Sequence, residues 1–343
     1  MKNIAPKVIV IGIGGIGGIT AANASRAGFD VEVVDNLPGL SEKIEKEGIM
    51  VSGTMTPFTE KIKAYNSISS VSSKKDIILL ATKATSLSNI AEDIKSLMND
   101  TTVVVSLQNG MCEEFLTKIL GRNRILGCMV GWGATVHKPG NLEKTSEGNF
   151  IIGTLPGEHV QHLDAVVEIL RTTAPVTVTQ NISGCLYSKL IINSCITTLG
   201  AICGMTLGKM LAIKKLRNIF IEIICEAVQV SNRAGIRIEK YTGKLDFYTF
   251  IENSSLFSKF MKHVKIRIIG MKYRKLKSSS LQSLETGRKT EIDFLNGYIV
   301  DKGKEVHVNT PLNNLLVSLV KDIEDGRRAI GYDNFNLSAF SRF

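Results

Sequence analysis

None of the six cysteines, Cys112, Cys128, Cys185, Cys195, Cys203 and Cys225, forms a C-x-x-C pair, and the five histidines share no ligand spacing with them. That excludes a thiol-ligated zinc site and offers no disulfide framework, so the cysteines are expected to be reduced core residues with no metal. A secretory leader is missing too. A β-branched run starts at Lys7, and six residues cannot hold the charged and apolar parts of a signal, which sets the expectation of a cytoplasmic protein. No acidic residue stands between Glu252 and Glu285, where Lys259, Lys262, Lys265, Arg267, Lys272, Arg274, Lys275 and Lys277 carry most of the net charge of +10. Phe257, Phe260 and Tyr273 interleave with them without any recognised binding module, so neither nucleic acid nor membrane is the expected partner. A solvated helix face, or a field that draws small anions toward a cleft, accounts for the segment.

Charge of either sign is absent from Leu190 to Gly208, "LIINSCITTLGAICGMTLG". Nineteen residues approach the length of a membrane span, but Asn193, Ser194, three threonines and three glycines dilute the signal. A helix buried between domains or subunits fits better and is compatible with a homodimer.

At 343 residues the chain exceeds what one core usually serves, so two domains are expected. The first half alternates strand patterns at Lys7–Ile11, Val31–Asp35, Asp76–Ala81, Thr101–Ser106 and Arg124–Met129 with helical patterns at Ile16–Ala27, Leu40–Glu47, Leu87–Met98 and Cys112–Leu120. The β-like pieces "NFIIGTL" and "PVTVTQ" follow around a helix at Val160–Thr172, and after Ser183 only helical patterns remain, with breaks near Gly204, Gly235, Gly270, Gly287 and Gly303. The expected architecture is α/β, a Rossmann-like, doubly wound parallel sheet over residues 1–181 followed by an all-helical domain over residues 182–343.

The stretch "KVIVIGIGGIGG" sets that run directly against five glycines. Gly12, Gly14 and Gly17 fit G-x-G-x-x-G between a strand and a helix, and Asp35 ends the next strand, which is the context a dinucleotide fingerprint requires. The turn from Gly14 through Gly15 to Gly17 would bring a pyrophosphate to the helix N-terminus, where N–H groups and the dipole favour anions. Asp35 could accept from a ribose 2′-OH and would repel a 2′-phosphate, favouring NAD over NADP. The same aspartate could instead only start the turn "DNLPG", and Asn36 or Lys43 could then admit a phosphate.

Hydride transfer then asks the second domain for a proton donor. Lys189, Asn193 and Thr197 are spaced by four and share one helix face, so Lys189 could protonate a carbonyl oxygen, although a lysine at a helix start is usually solvent-exposed. In "SSSLQSLETGRKTEIDFLNG", Gly287 ends one helix, and Thr290 with Asp293 fits a capping box, which alone would account for Glu291 in a first turn.

The glycine fingerprint, "ATKATS", "SLQNGM", a Tyr-x-Lys-x-x-x-Asn helix, "SSLQ", "GRKTEIDFLNG" and "TPLN" occur in an order that resembles the ketopantoate reductase (2-dehydropantoate 2-reductase) family from about residue 7 to residue 320. The resemblance implies a Rossmann domain plus a helical domain, and NAD(P)H-dependent reduction of a small 2-oxo acid, ketopantoate to D-pantoate in coenzyme A biosynthesis, with NADPH the family habit. It makes Lys189 and Glu291 the catalytic pair. Asn109 would stand at nicotinamide and substrate, Lys83 at the adenosine side, and Asn193 and Ser279 on the substrate. The chain departs from the family at Thr197 and Leu276, where asparagines are common, and at Tyr187, where a tryptophan is. These departures keep an NAD-dependent D-2-hydroxyacid dehydrogenase of the same superfamily as an alternative, and a non-catalytic dinucleotide sensor as one of another class.

Overall fold

The computed structural model describes residues 6–252 and 255–343, so most of the short stretch before Lys7 lies outside the described residues. Twelve strands and thirteen α-helices are found among the described residues. The strands are β1 (Val8–Ile11), β2 (Val31–Val34), β3 (Ile49–Gly53), β4 (Phe58–Glu60), β5 (Lys63–Tyr65), β6 (Lys75–Leu80), β7 (Met98–Ser106), β8 (Ile125–Val130), β9 (Ala134–Lys138), β10 (Asn141–Lys144), β11 (Phe150–Thr154) and β12 (Val176–Val178). Of the helices, α1 (Gly15–Arg26), α2 (Leu40–Glu47), α3 (Leu87–Asp93), α4 (Cys112–Leu120) and α5 (Leu163–Arg171) alternate with them. The chain divides into two compact units, residues 1–186 and 187–343.

In the first unit an eight-stranded sheet runs β12-β11-β8-β7-β6-β1-β2-β5. Chain order reverses at β1, which pairs in parallel with β2 on one side and β6 on the other. Val8, Ile9, Val10 and Ile11 are all buried, as a strand covered on both faces demands. The expected parallel sheet holds from β5 to β8, but β11 pairs antiparallel with β8. A second, four-stranded sheet, β4-β3-β10-β9, was not legible in the sequence, and α1 packs against it through Gly18, whose missing Cβ leaves room for Leu142.

The remaining helices are α6 (Ile182–Cys203), α7 (Leu207–Ala212), α8 (Lys214–Arg233), α9 (Phe247–Glu252), α10 (Leu256–Lys272), α11 (Ser279–Glu285), α12 (Asn296–Glu305) and α13 (Pro311–Glu324). Asn181 Oδ1 accepts from Gly184 N at 3.1 Å and so caps α6. The uncharged run lies in α6, and 83% of its most apolar window is buried within this chain, so it offers no broad face to a second subunit. At two of the expected breaks the glycine lies just inside the helix that ends there, α10 stopping at Lys272 and α12 at Glu305. Gly270 belongs to α10, where a Cβ would come within 2.8 Å of Leu211 Cβ, and Gly303 belongs to α12, where a Cβ would meet the Val308 carbonyl at 2.8 Å. Both glycines mark close packing rather than chain reversal.

A buried polar chain ties the second unit. Glu226 on α8 accepts from Leu312 N, Asn313 N and Asn313 Nδ2 at 2.8, 2.9 and 2.7 Å, supplying from a distant helix the cap that Thr310 does not give α13. Asn313 Oδ1 accepts from Asn296 Nδ2 at 2.9 Å, and Asn296 also donates to the Ser194 carbonyl and accepts from the Thr198 hydroxyl on α6. Tyr187 stays fully buried at the start of the same helix, its hydroxyl donating to the Ala227 carbonyl at 2.8 Å.

Candidate active site

In the first unit, the expected cofactor residues follow the carboxyl ends of adjacent parallel strands: Gly12 after β1, Asp35 after β2, Lys83 after β6 and Asn109 after β7. In a sheet of this kind ligands bind where the chain order reverses, which is here between β1 and β6. The three fingerprint glycines have three different reasons to lack a side chain. Gly12 sits at φ +98°, and a Cβ would meet Thr82 N at 2.6 Å, so the turn after β1 fits only glycine. At Gly17 a Cβ would overlap the Gly12 carbonyl oxygen, so helix and turn close directly on each other. Around Gly14 nothing lies within 4 Å of the Cβ position. Gly14 is also the N-cap of α1 and no side chain caps that helix, leaving its N-terminus to a ligand. Gly15 packs against Ala134 Cβ, 2.7 Å from its own Cβ position.

Asp35 starts the turn "DNLPG" and also ties it to the glycine turn. Its Oδ2 accepts from Ile13 N in the glycine turn at 2.7 Å and its Oδ1 from Leu37 N at 3.0 Å. Each carboxylate oxygen has a second lone pair, so these bonds leave acceptor capacity for ribose hydroxyls. Lys43 donates its ammonium to the Pro139 carbonyl at 2.9 Å, an engagement that works against its receiving a 2′-phosphate.

Gln108 was not singled out from the sequence, yet its buried amide donates to the carbonyl and the hydroxyl of Thr82 at 3.1 and 3.2 Å. It thereby fixes the loop carrying exposed Lys83 to the loop carrying half-buried Asn109.

In the second unit, α6 is buried from Gly184 to Cys203 except at Lys189, Asn193 and Ile196. These positions are i, i+4 and i+7, a single stripe of one helix face. Thr197, expected on that face, is buried, and its hydroxyl donates back to the Asn193 carbonyl at 2.7 Å. Ser278 brings α11 to the same place: its Oγ accepts from Leu281 N at 3.2 Å as N-cap and donates to the Thr197 carbonyl at 3.2 Å. A Cβ on Gly200 would lie 2.8 Å from that oxygen, so glycine is what lets α11 start against α6. Exposed Ser279 follows directly, one residue after the contact with the Thr197 and Gly200 turn of α6. Sequence spacing gave no sign of Gly200 or Ser278.

Glu291 is half-buried at the turn before α12. The capping box expected around it does not form, because Asp293 bridges to Lys321 at 2.6 Å. Thr290 still accepts from Ile292 N at 3.2 Å and donates its hydroxyl to Glu324 at 2.6 Å.

Residues 8–157 match the family described as Ketopantoate reductase PanE/ApbA, and residues 181–324 match its C-terminal family, Ketopantoate reductase PanE/ApbA C terminal. A 2-dehydropantoate 2-reductase from Pyrococcus horikoshii is 31% identical over 92% of this chain and 96% of its own length. The chain belongs to the ketopantoate reductase family. An Archaeoglobus fulgidus 2-dehydropantoate 2-reductase is 28% identical over 93% of this chain and 98% of its own. Among solved structures, a PanE/ApbA family ketopantoate reductase from Ralstonia eutropha superposes with a TM-score of 0.79 at 25% identity, covering 94% of this chain and 99% of that one. D-mandelate dehydrogenase, crystallised with NADH and anilino(oxo)acetate, shares the fold with a TM-score of 0.78 at 22% identity, covering 93% and 99%.

Proposed function

We propose that this chain reduces a small 2-oxo acid, 2-dehydropantoate, to the 2-hydroxy acid pantoate at the expense of NAD(P)H. The observation that carries the chemistry is the stripe of half-buried Lys189 and Asn193 on a helix otherwise buried and uncharged, which sets a cation and an amide on one face. The clear space at Gly14, the uncapped N-terminus of α1 and the acceptor capacity of Asp35 fit a dinucleotide. Gly12, Gly14, Gly15, Gly17, Asp35, Lys83 and Asn109 would hold it, with Asp35 favouring NADH. Bound there, it supplies a hydride.

Lys189 holds the proton that the carbonyl oxygen takes up on reduction, at a positioned ammonium rather than from bulk water. Glu291 keeps that ammonium charged and oriented, an opposite charge nearby favouring the protonated form. Asn193 and Ser279 hydrogen-bond the substrate, and Asn109 helps to orient it. Thr197 contributes no amide, and Leu276 presents an exposed apolar side chain, so this site carries fewer polar groups than the family commonly does.

Among the described residues no disulfide joins the six cysteines. The D-2-hydroxyacid dehydrogenase alternative has support only at the level of fold, and near-full-length likeness to named reductases weighs against a sensor. The deciding experiment mixes the protein with NADH or NADPH and a panel of branched and aromatic 2-oxo acids and follows nicotinamide absorbance. The expected result is the highest kcat/KM on 2-dehydropantoate. Turnover of an aromatic acid alone would move the assignment to the dehydrogenase, and turnover of none would remove the enzyme reading.

A further inference from the structure

Six of the eleven large hydrophobic side chains exposed among the described residues fall within the acid-free basic segment: Phe257, Phe260, Ile268, Met271, Tyr273 and Leu276. Four of them lie on α10 with exposures of 74, 64, 56 and 62%. With half-buried Val264 they occupy positions i, i+3, i+7, i+11 and i+14, a continuous outward stripe about 100° wide. The opposite face of α10 is fixed. Ile266 is buried, Gly270 closes against Leu211, and Arg217 donates to His263 Nδ1 at 3.1 Å while its Nη1 holds the Leu211 and Ala212 carbonyls. Rolling the stripe inward would break these contacts, so it points outward in the folded unit.

We infer that a second copy of this chain covers the stripe, through an antiparallel α10 to α10 contact with its twofold axis at Val264. The spacing of the apolar positions, 3-4-4-3, reads the same in both directions about Val264, which is what an isologous interface requires. In that register Phe257 meets Met271 and Phe260 meets Ile268, each aromatic ring facing an aliphatic chain. The stripe exposes on the order of 500 Å², a large part of the roughly 800 Å² per partner that a standard interface covers. An anionic surface would suit the basic flanks, but it gives no reason for the symmetry.

The full-length protein is examined by sedimentation velocity over a dilution series around 10 μM, about the scale on which a contact of this size associates. The expected result is a dimer that persists at high salt. Phe260→Lys and Ile268→Glu should each give monomers that keep the wild-type circular dichroism spectrum. The double variant F260K/I268E should dimerise again, because the twofold sets each new lysine against the partner's new glutamate. Positions 260 and 268 are about 12 Å apart along one helix, so they cannot rescue each other within a chain. A monomeric wild type, single variants that stay dimeric, or a double variant that stays monomeric would each overturn the inference. So would salt-sensitive adsorption of a monomer to anionic vesicles.

Discussion

The carboxylate of Asp35 accepts a hydrogen bond from the Ile13 amide at 2.7 Å, so the residue expected to choose the cofactor also anchors the glycine turn that would bind it. Charge and anchoring can be separated. Asp35→Asn retains a side-chain oxygen for Ile13 N and loses the charge, so it should narrow a wild-type preference for NADH over NADPH while changing stability by about 1 kcal/mol or less. Asp35→Ala should raise KM for both cofactors and lower Tm, because two backbone donors lose their acceptor. Kinetics with each cofactor alongside thermal melts check both, and a wild type that prefers NADPH would leave Asp35 as an anchor only.

Gly14 and Gly17 should respond in opposite ways to the same methyl group. Gly14→Ala meets no protein atom, so it should melt near the wild type while weakening cofactor binding about tenfold or more, the Cβ occupying space meant for the pyrophosphate. Gly17→Ala would overlap the Gly12 carbonyl and should destabilise the first unit by about 1–3 kcal/mol. Cofactor titration by fluorescence and thermal melts distinguish the two. Equal behaviour of the variants would mean that the turn does not receive a ligand.

Lys189→Ala should lower kcat by about 10²–10⁴ and leave cofactor affinity nearly unchanged, the size of effect a positioned proton donor has. Glu291→Ala should be impaired strongly. If the two act as a unit, the double variant should be far less impaired than the product of the single effects, since losing either disables the other. Near-normal turnover in Lys189→Ala, on a substrate the wild type reduces, would remove the proposed proton donor.

Acid should loosen the first unit at Glu32. Burial pushes this carboxyl up, but hydrogen bonds and charge from Lys75 and Lys63 outweigh it, leaving the pKa below the ordinary 4.5. A lowered carboxylate pKa contributes stability that is fully present above the unfolded value and is lost as pH falls through the folded one. Denaturant melts of wild type and Glu32→Gln should therefore differ at pH 7 and converge as pH falls through the lowered folded value. Lys75, 2% exposed, is left buried without its counter-charge in either case, and a gap that persisted at low pH would point to a packing role for Glu32.

Strong periodicity made much of the frame legible. The observed α2 and α4 have the expected limits, and β1, β2, β6 and β8 fall within a residue or two of them. The second sheet was not legible because β4 is only three residues long and β3 finds its partner β10 some ninety residues away, a pairing that no local pattern encodes. At the site, glycine spacing announced the turn because its constraint is local. Gln108, Gly200 and Ser278 were missed because each acts across loops or helices distant in sequence.

Two of the sequence signatures that mark this chain as a ketopantoate reductase, "FLNG" and "TPLN", place Asn296 and Asn313 in the buried chain leading to Glu226. Their amides are occupied by one another, by the α6 carbonyl of Ser194 and by a carboxylate 4% exposed, with none presented to a substrate. A descendant of this protein could keep both signatures intact and exchange its substrate freely, since what they record is the clamp on four helices. Membership in the lineage and choice of acid are thus inherited through different residues, and the second can drift while the first stays fixed.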